Sequence, residues 1–137
     1  MKNNWVIKQL TPGDQIRVKR DGYYHHGIYI GGGEVIHYTS KEGDIADPTL
    51  IKVMKTSLDF FLKGGYPEVR IYTLKEKRYL RNKKDIIDIA LSRINEGGYD
   101  FIHHNCEHFS NECAFKKEIP TQIDDMKENI HKQLMKL

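Results

Sequence analysis

Residues 23–39 read YYHHGIYIGGGEVIHYT: two runs rich in β-branched and aromatic residues flank Gly31, Gly32 and Gly33. Such residues suit a pleated surface, and a glycine cluster between two of these runs supplies a hairpin turn. A three-residue loop at 31–33 pairs Ile30 with Glu34, Ile28 with Ile36 and Gly27 with His37. Alternation then puts His25, Gly27, Tyr29, Val35, His37 and Thr39 on one face, and Ile28, Ile30 and Ile36 on the other. His25 and His37 become diagonal cross-strand neighbours, and Gly27 leaves space opposite His37. A slip of one residue would send the two histidines to opposite faces. His26 belongs by parity with the isoleucines.

Outward from the hairpin, the chain is a string of short elements. TPGD at 11–14 is a turn, with Pro12 presetting its dihedral and Gly13 accepting positive φ. QIRVKR at 15–20 alternates like a half-exposed strand, and VRIYTL at 69–74 reads as another. SLDFFLKGG at 57–65 is a short helix capped by Ser57 and stopped by glycine. KKDIIDIALSRINEGG at 83–98 is the clearest helix, with Ile86, Ile87, Ala90, Leu91 and Ile94 as one apolar stripe ended by Gly97 and Gly98. CEHFSNECAFKK at 106–117 predicts a second, with Phe109, Cys113 and Ala114 inward. Ile123, Met126, Ile130 and Leu134 recur at helical spacing near the C-terminus. Strands first and helices later, without regular alternation, predict an α+β domain.

A chain of 137 residues has room for one domain with a substantial core. Its 22 basic and 19 acidic side chains, net +3, are well mixed, too mild a pattern for a dedicated nucleic-acid binder. No apolar run approaches the length of about 20 residues that spans a bilayer, and MKNNWVIKQL at 1–10 lacks a signal-peptide core. The sequence therefore predicts a soluble, cytoplasmic protein. Its two cysteines, Cys106 and Cys113, lie seven residues apart on one predicted helix. A rise of about 1.5 Å per residue separates them by roughly 10 Å, beyond disulfide reach, so both thiols are expected to be free.

HHNCEHF at 103–109 surrounds Cys106 with histidines. A thiol becomes a strong nucleophile as its thiolate, which a helix N-terminus and a histidine base both favour. A helix beginning at Asn105 or Cys106 offers unpaired N–H groups to the anion and to an oxyanion. His108, two residues on, is turned about 200° around the helix and faces away. His103 and His104 precede the helix in a direction the sequence leaves open, and His25 and His37 lie far off in the hairpin. Against the catalytic reading stands packing, since free cysteines are often buried; Cys113 is read that way. Zinc is disfavoured, because HHNCEH lacks a second ligand pair at familiar spacing.

GDQIRV at 13–18, YYHHGIYIGGGEVIHY at 23–38 and NCEHF at 105–109 resemble the lecithin–retinol acyltransferase-like family. That family includes the H-Ras-like suppressor phospholipase/acyltransferases and lies within the NlpC-type cysteine peptidase superfamily. The resemblance spans residues 11–122, ending on PTQ at 120–122, where members often carry a Ser-Gln pair. Residues 123–137 are then an added amphipathic helix. The resemblance implies a circularly permuted papain-like fold, an antiparallel sheet packed against helices. It puts the catalytic cysteine on Cys106, the base on His25 and the histidine that orients it on His37. His26 takes a position where relatives carry Trp, Tyr or His. Tyr23, with Asn105 at the helix start, is the candidate for holding the oxyanion or substrate.

What the resemblance implies is a cysteine acyl-enzyme acting on an acyl ester or lipid, a thiol acyltransferase or phospholipase A-like esterase with no metal or cofactor. The alternatives are a cysteine peptidase or amidase of the same superfamily and a non-enzymatic binding module with an idle triad. The intact set of Cys106, His25 and His37 favours an enzyme. KEKRYLRNKK at 75–84 holds six basic residues and one acidic. It reads as a solvated helix entrance, or as a patch drawn peripherally to an anionic membrane surface, where each Lys or Arg gains about 1 kcal/mol.

Overall fold

The computed structural model describes residues 4–44 and 47–137. Residues 1–3, which open the stretch read as lacking a signal-peptide core, lie outside that range. The chain runs β1 (Trp5–Val6), β2 (Gln15–Lys19), β3 (Tyr24–Gly31), β4 (Glu34–Thr39), β5 (Lys52–Ser57), α1 (Leu58–Leu62), β6 (Glu68–Arg70), α2 (Leu74–Lys77), α3 (Lys83–Ser92), α4 (Cys106–Ala114) and α5 (Gln122–Met135). The strands form one open antiparallel sheet of six, ordered β1-β6-β2-β3-β4-β5. The fold is α+β.

Each face of the sheet carries its own core. On one face, Ile28, Ile36, Tyr38 and Val53 meet Ile86 and Ala90 of α3 and Cys106, Phe109, Cys113 and Ala114 of α4. On the other, Ile16, Val18, Val35 and Val69 close around Phe61 of α1. The β2–β3 register, with Gln15 opposite Ile28 and Val18 opposite His25, keeps polar Gln15 on the α4 side. There its amide donates to Ser110 Oγ (2.9 Å) and Asn111 Oδ1 (3.0 Å), tying the helix to the sheet.

The hairpin departs from the expected loop. Ile28 pairs with Ile36 and Tyr29 with Val35, but Glu34 pairs with Gly31, so Ile30 is bulged and only Gly32 and Gly33 turn the chain. Three successive glycines at positive φ make that tight turn and bulge affordable. Parity below the bulge is unchanged.

Other elements are shorter than their periodicity suggests. The strand near 69–74 ends at Arg70, because Thr73 and Glu76 close a reciprocal capping box that starts α2. Helix α3 ends at Ser92, well before Gly97. Asn95 N–H bonds to Val53 O (2.8 Å) and Val53 N–H to Glu96 O (3.0 Å), so β5 draws the chain out of the helix. The left-handed residue there is Asn95, at φ 79°. Leu91 is exposed, and Ile89 packs against the core instead. In the basic run 75–84, Lys75, Lys77, Arg78, Lys83 and Lys84 are all exposed, and the last two are paired, Lys83 with Asp14 and Lys84 with Asp88. Along α5 only Ile123 is buried, whereas Met126, Ile130 and Leu134 are 55%, 52% and 60% exposed. No helix among the described residues is long and apolar enough to cross a membrane.

Candidate active site

Helix α4 begins at Cys106 because Asn105 caps it. The Asn105 side-chain oxygen accepts from Glu107 N–H (3.0 Å) and His108 N–H (3.2 Å), while His108 Nδ1 accepts from Asn105 N–H (3.0 Å). Asn105 Nδ2 donates to Phe101 O (2.6 Å), fixing the loop before the helix. Asn105 is therefore occupied as a cap and a loop tie. His108 completes the cap from the side of the helix away from the thiol. The Cys106 N–H, first of the helix, has no partner among the described residues.

The Cys106 thiol is buried under β3, where the main-chain N–H groups of His26 and Glu107 favour its thiolate. Burial is the larger effect and pushes the thiol up to about 12, with Glu107 and Asp44 adding to the rise. The expectation of a lowered thiol pKa is thus reversed in the resting site: two N–H dipoles do not replace lost hydration. Cys113 is buried too, and burial pushes it likewise to about 12. Both cysteines are free.

His25 and His37 meet as the strand pairing requires: His25 Nε2 lies 2.8 Å from His37 Nδ1, and His37 Nε2 lies 2.8 Å from Thr56 Oγ1. Either ring tautomer suits these distances, so the protons along the chain are assigned from the Thr56 hydroxyl. With its single hydroxyl hydrogen assigned to Ser57 O (3.0 Å), Thr56 accepts from His37 Nε2–H. Burial lowers His37 well below the ordinary imidazole range, so the ring is neutral and its Nδ1 accepts from His25 Nε2–H. Burial likewise lowers His25 to about 4, with Asp44 pulling up and Arg20 and Lys63 pushing down. His25 at neutral pH is therefore uncharged, and in this assignment its bare lone pair is on Nδ1. Phe61 packs both rings, with centroids 5.2 and 5.0 Å away. Gly27 is what lets it, since a Cβ there would lie 2.8 Å from the Phe61 ring and 3.2 Å from His37 Cβ.

Thiol and histidine pair stand on opposite faces of β3, and no hydrogen bond joins Cys106 to His25 among the described residues. They approach around the start of the strand. A cavity of about 70 Å³ is lined by Cys106, Tyr24, Ile123 and Met126, and one of about 240 Å³ by His25, Asp44 and Ile51; Tyr23, Tyr99 and Phe101 wall both. Tyr23 donates its hydroxyl to Asp44 Oδ2 (3.0 Å). His26 is buried on the α4 side, Nε2 3.9 Å from Glu107. His104 bonds to Tyr38 (2.9 Å), and His103 is exposed beside Asp100; no hydrogen bond joins either to the thiol among the described residues.

Sequence reasoning missed Thr56, Phe61 and Asp44. Alternation could have flagged Thr56, which faces Val35 across β4 and β5. Nothing local marks Asp44, a loop residue beside His25. A larger cavity of about 710 Å³, lined by Arg17, Lys19, Arg70, Glu107 and Gln122 among others, adjoins the thiol across Tyr23 and Tyr24.

An antiparallel sheet bearing a hydrogen-bonded histidine pair, crossed by a helix that starts at a buried cysteine, defines the class: an α+β protein with thiol and imidazole groups around one strand. The chain belongs to the lecithin retinol acyltransferase family, whose model matches residues 8–119. It is 30% identical over 131 residues to phospholipase A and acyltransferase 3 of Mus musculus, covering 87% of this chain and 79% of that protein. The human protein of that name is 29% identical over 133 residues, covering 88% and 80%. Human phospholipase A and acyltransferase 4 is 27% identical over 129 residues, covering 88% and 79%.

Proposed function

We propose that this protein is a lipid acyltransferase or phospholipase A-like esterase that works through an acyl-enzyme on Cys106. Its family and the names of its relatives support the activity. The observation that carries the mechanism is the chain from Thr56 through His37 to His25, which leaves Nδ1 of His25 as a proton acceptor, in a cavity that shares the walls Tyr23, Tyr99 and Phe101 with the one Cys106 lines. Both groups rest neutral. The thiol proton moves to Nδ1 as sulfur attacks the ester carbonyl, in the space walled by Tyr23, Tyr99 and Phe101. The carbonyl π pair becomes an oxyanion facing the Cys106 N–H at the positive helix end, with Tyr23 as a second donor if it leaves Asp44. The imidazolium then returns the proton to the leaving alkoxide. Water or an acceptor alcohol or amine takes the acyl group.

The order of strand histidines before helix cysteine supports a circularly permuted papain-like arrangement, in one domain with its core at 11–122 and α5 added. Free cysteines support a reducing, cytoplasmic setting. The apolar rim of the thiol cavity, Phe101, Ile123 and Met126, continues into exposed Ile130 and Leu134 of α5, which supports peripheral contact with a lipid surface.

Intact-protein mass spectrometry after exposure to mixed phospholipids, an activated ester and peptide amides tests the reading. An acyl adduct from the esters, mapped to Cys106 and absent in Cys106→Ala, is expected. An adduct on Cys113 would overturn the mechanism, reaction with amides alone would make the protein a peptidase or amidase, and no adduct at all would leave a binding module.

A further inference from the structure

The proton acceptor of the proposed mechanism has a carboxylate beside it. Asp44 Oδ2 lies 3.7 Å from Nδ1 of His25, the same nitrogen that the hydrogen-bond chain leaves bare. Nor is Asp44 a loose loop residue: Arg20 Nε donates to Oδ2 (3.0 Å), Tyr23 donates its hydroxyl to Oδ2 (3.0 Å), and its side chain is 6% exposed. Arg20 is itself anchored on the α1 carbonyls of Phe61 (2.6 Å) and Leu62 (3.4 Å). Arg20, just after β2 and tied to α1, and Tyr23, just before β3, thus brace the carboxylate against the histidine pair.

We infer that Asp44 is a positioning residue of the reaction, a fixed negative charge that stabilises the imidazolium of His25 without taking its proton. The inference rests on the acyl-enzyme reading above. When the S–H bond breaks and the proton arrives on Nδ1, the new N–H faces Oδ2, and two acceptors become a charge-assisted pair. Asp44 can serve because burial, which would raise it, is outweighed by His25, Arg20 and Tyr23, which hold it down at about 2. The other groups facing His25 are Arg20 and Lys63, both opposing its charge, and neutral His37. Asp44 is the one described group that favours it. The same charge raises the Cys106 thiol, so Asp44 favours the base and disfavours free thiolate, which keeps the resting pair neutral.

These two effects have opposite signs, which gives a test that mere structural support would not pass. Asp44→Asn is expected to slow acylation of Cys106 by an activated ester at pH 7 by about three- to tenfold, through a weaker base. The midpoint for alkylation of Cys106 by neutral iodoacetamide should meanwhile move to lower pH. Asp44→Glu should retain acylation, and Asp44→Ser supplies a second neutral side chain should the Asn variant fold poorly. Unchanged acylation, or slower acylation with an unmoved or higher alkylation midpoint, overturns the inference. Failure of the native protein to form an adduct on Cys106 overturns the mechanism itself, a separate result.

Discussion

His25 and His26 are adjacent in sequence and have opposite surroundings. His25 points with His37 into the Phe61 face, hydrogen-bonded at Nε2 and bare at Nδ1, whereas His26 turns toward α4, near Glu107 and edge-on to Trp5 (5.4 Å between rings). His26 has the shorter route to the α4 side, since its own main chain touches the thiol; its Nδ1, however, is buried without a partner among the described residues, and no chain there sets its tautomer. We therefore expect His25→Ala to slow acylation by at least about 10²-fold, the scale of a lost general base. His26→Ala and His108→Ala should slow it far less. Single-turnover rates, with folding checked by circular dichroism, decide this; equal defects at 25 and 26 would remove the assignment of His25 as base.

At the level of elements, the start of α4 joins cap, loop and thiol in four residues. Asn105→Ala removes acceptors for two helix N–H groups and the tie to Phe101. It should cost about 1 kcal/mol in urea unfolding, with a range of about 0.5–2. It should also loosen the wall formed by Phe101 and raise KM more than it lowers kcat. A loss in kcat alone would make Asn105 a direct participant in the chemistry instead. Across from it, the Gln122 side chain brackets the Tyr24 main chain, accepting at 3.4 Å and donating at 3.2 Å, while Gln122 N–H bonds Glu107 (2.8 Å). This clamp docks the first turn of α5 beside the thiol cavity and leaves the later turns standing out.

Over the whole molecule, three fully buried imidazoles, His25, His26 and His37, make stability depend on pH. Burial depresses all three, His25 to about 4 and the others well below the ordinary value of 6.5. A depressed folded-state pKa means that the unfolded chain binds protons first. The contribution is therefore complete above pH 6.5 and is lost as pH falls through the folded values, at up to about 1.4 kcal/mol per pH unit for each ring. Glu107, raised by burial, works in the opposite direction at acid pH. Calorimetry should find Tm falling steadily from pH 6.5 to 4.5, and a flat profile would contradict the burial of these rings. Surface contact is testable at the same scale. Sedimentation with vesicles should be stronger for anionic than neutral lipid and be weakened by salt, by Lys75→Glu with Lys77→Glu, and by Ile130→Asp. Equal binding to both vesicle types, or none at low salt, rejects surface targeting and leaves the chemistry standing.

Much of this was legible locally. A period of two in 25–30 and 34–39 determined which hairpin residues share a face, so His25 and His37 could be paired and His26 set apart. Ser57, Asn105 and the stripe through Ile86 and Ala90 marked helix starts and an inward face, because caps and helical periodicity depend on neighbours within a few residues. Tertiary structure alone decided the rest. It ended α3 early on Val53, exchanged Leu91 for Ile89, bulged Ile30 and brought Asp44 to His25 from a loop. It also set the thiol and the histidine pair on opposite faces of one strand and raised the thiol's pKa, whereas a helix N-terminus considered alone lowers it. The physical reason is range: backbone periodicity and capping are written in adjacent residues, while burial, field and the meeting of distant side chains exist only once the sheet has closed between its two cores.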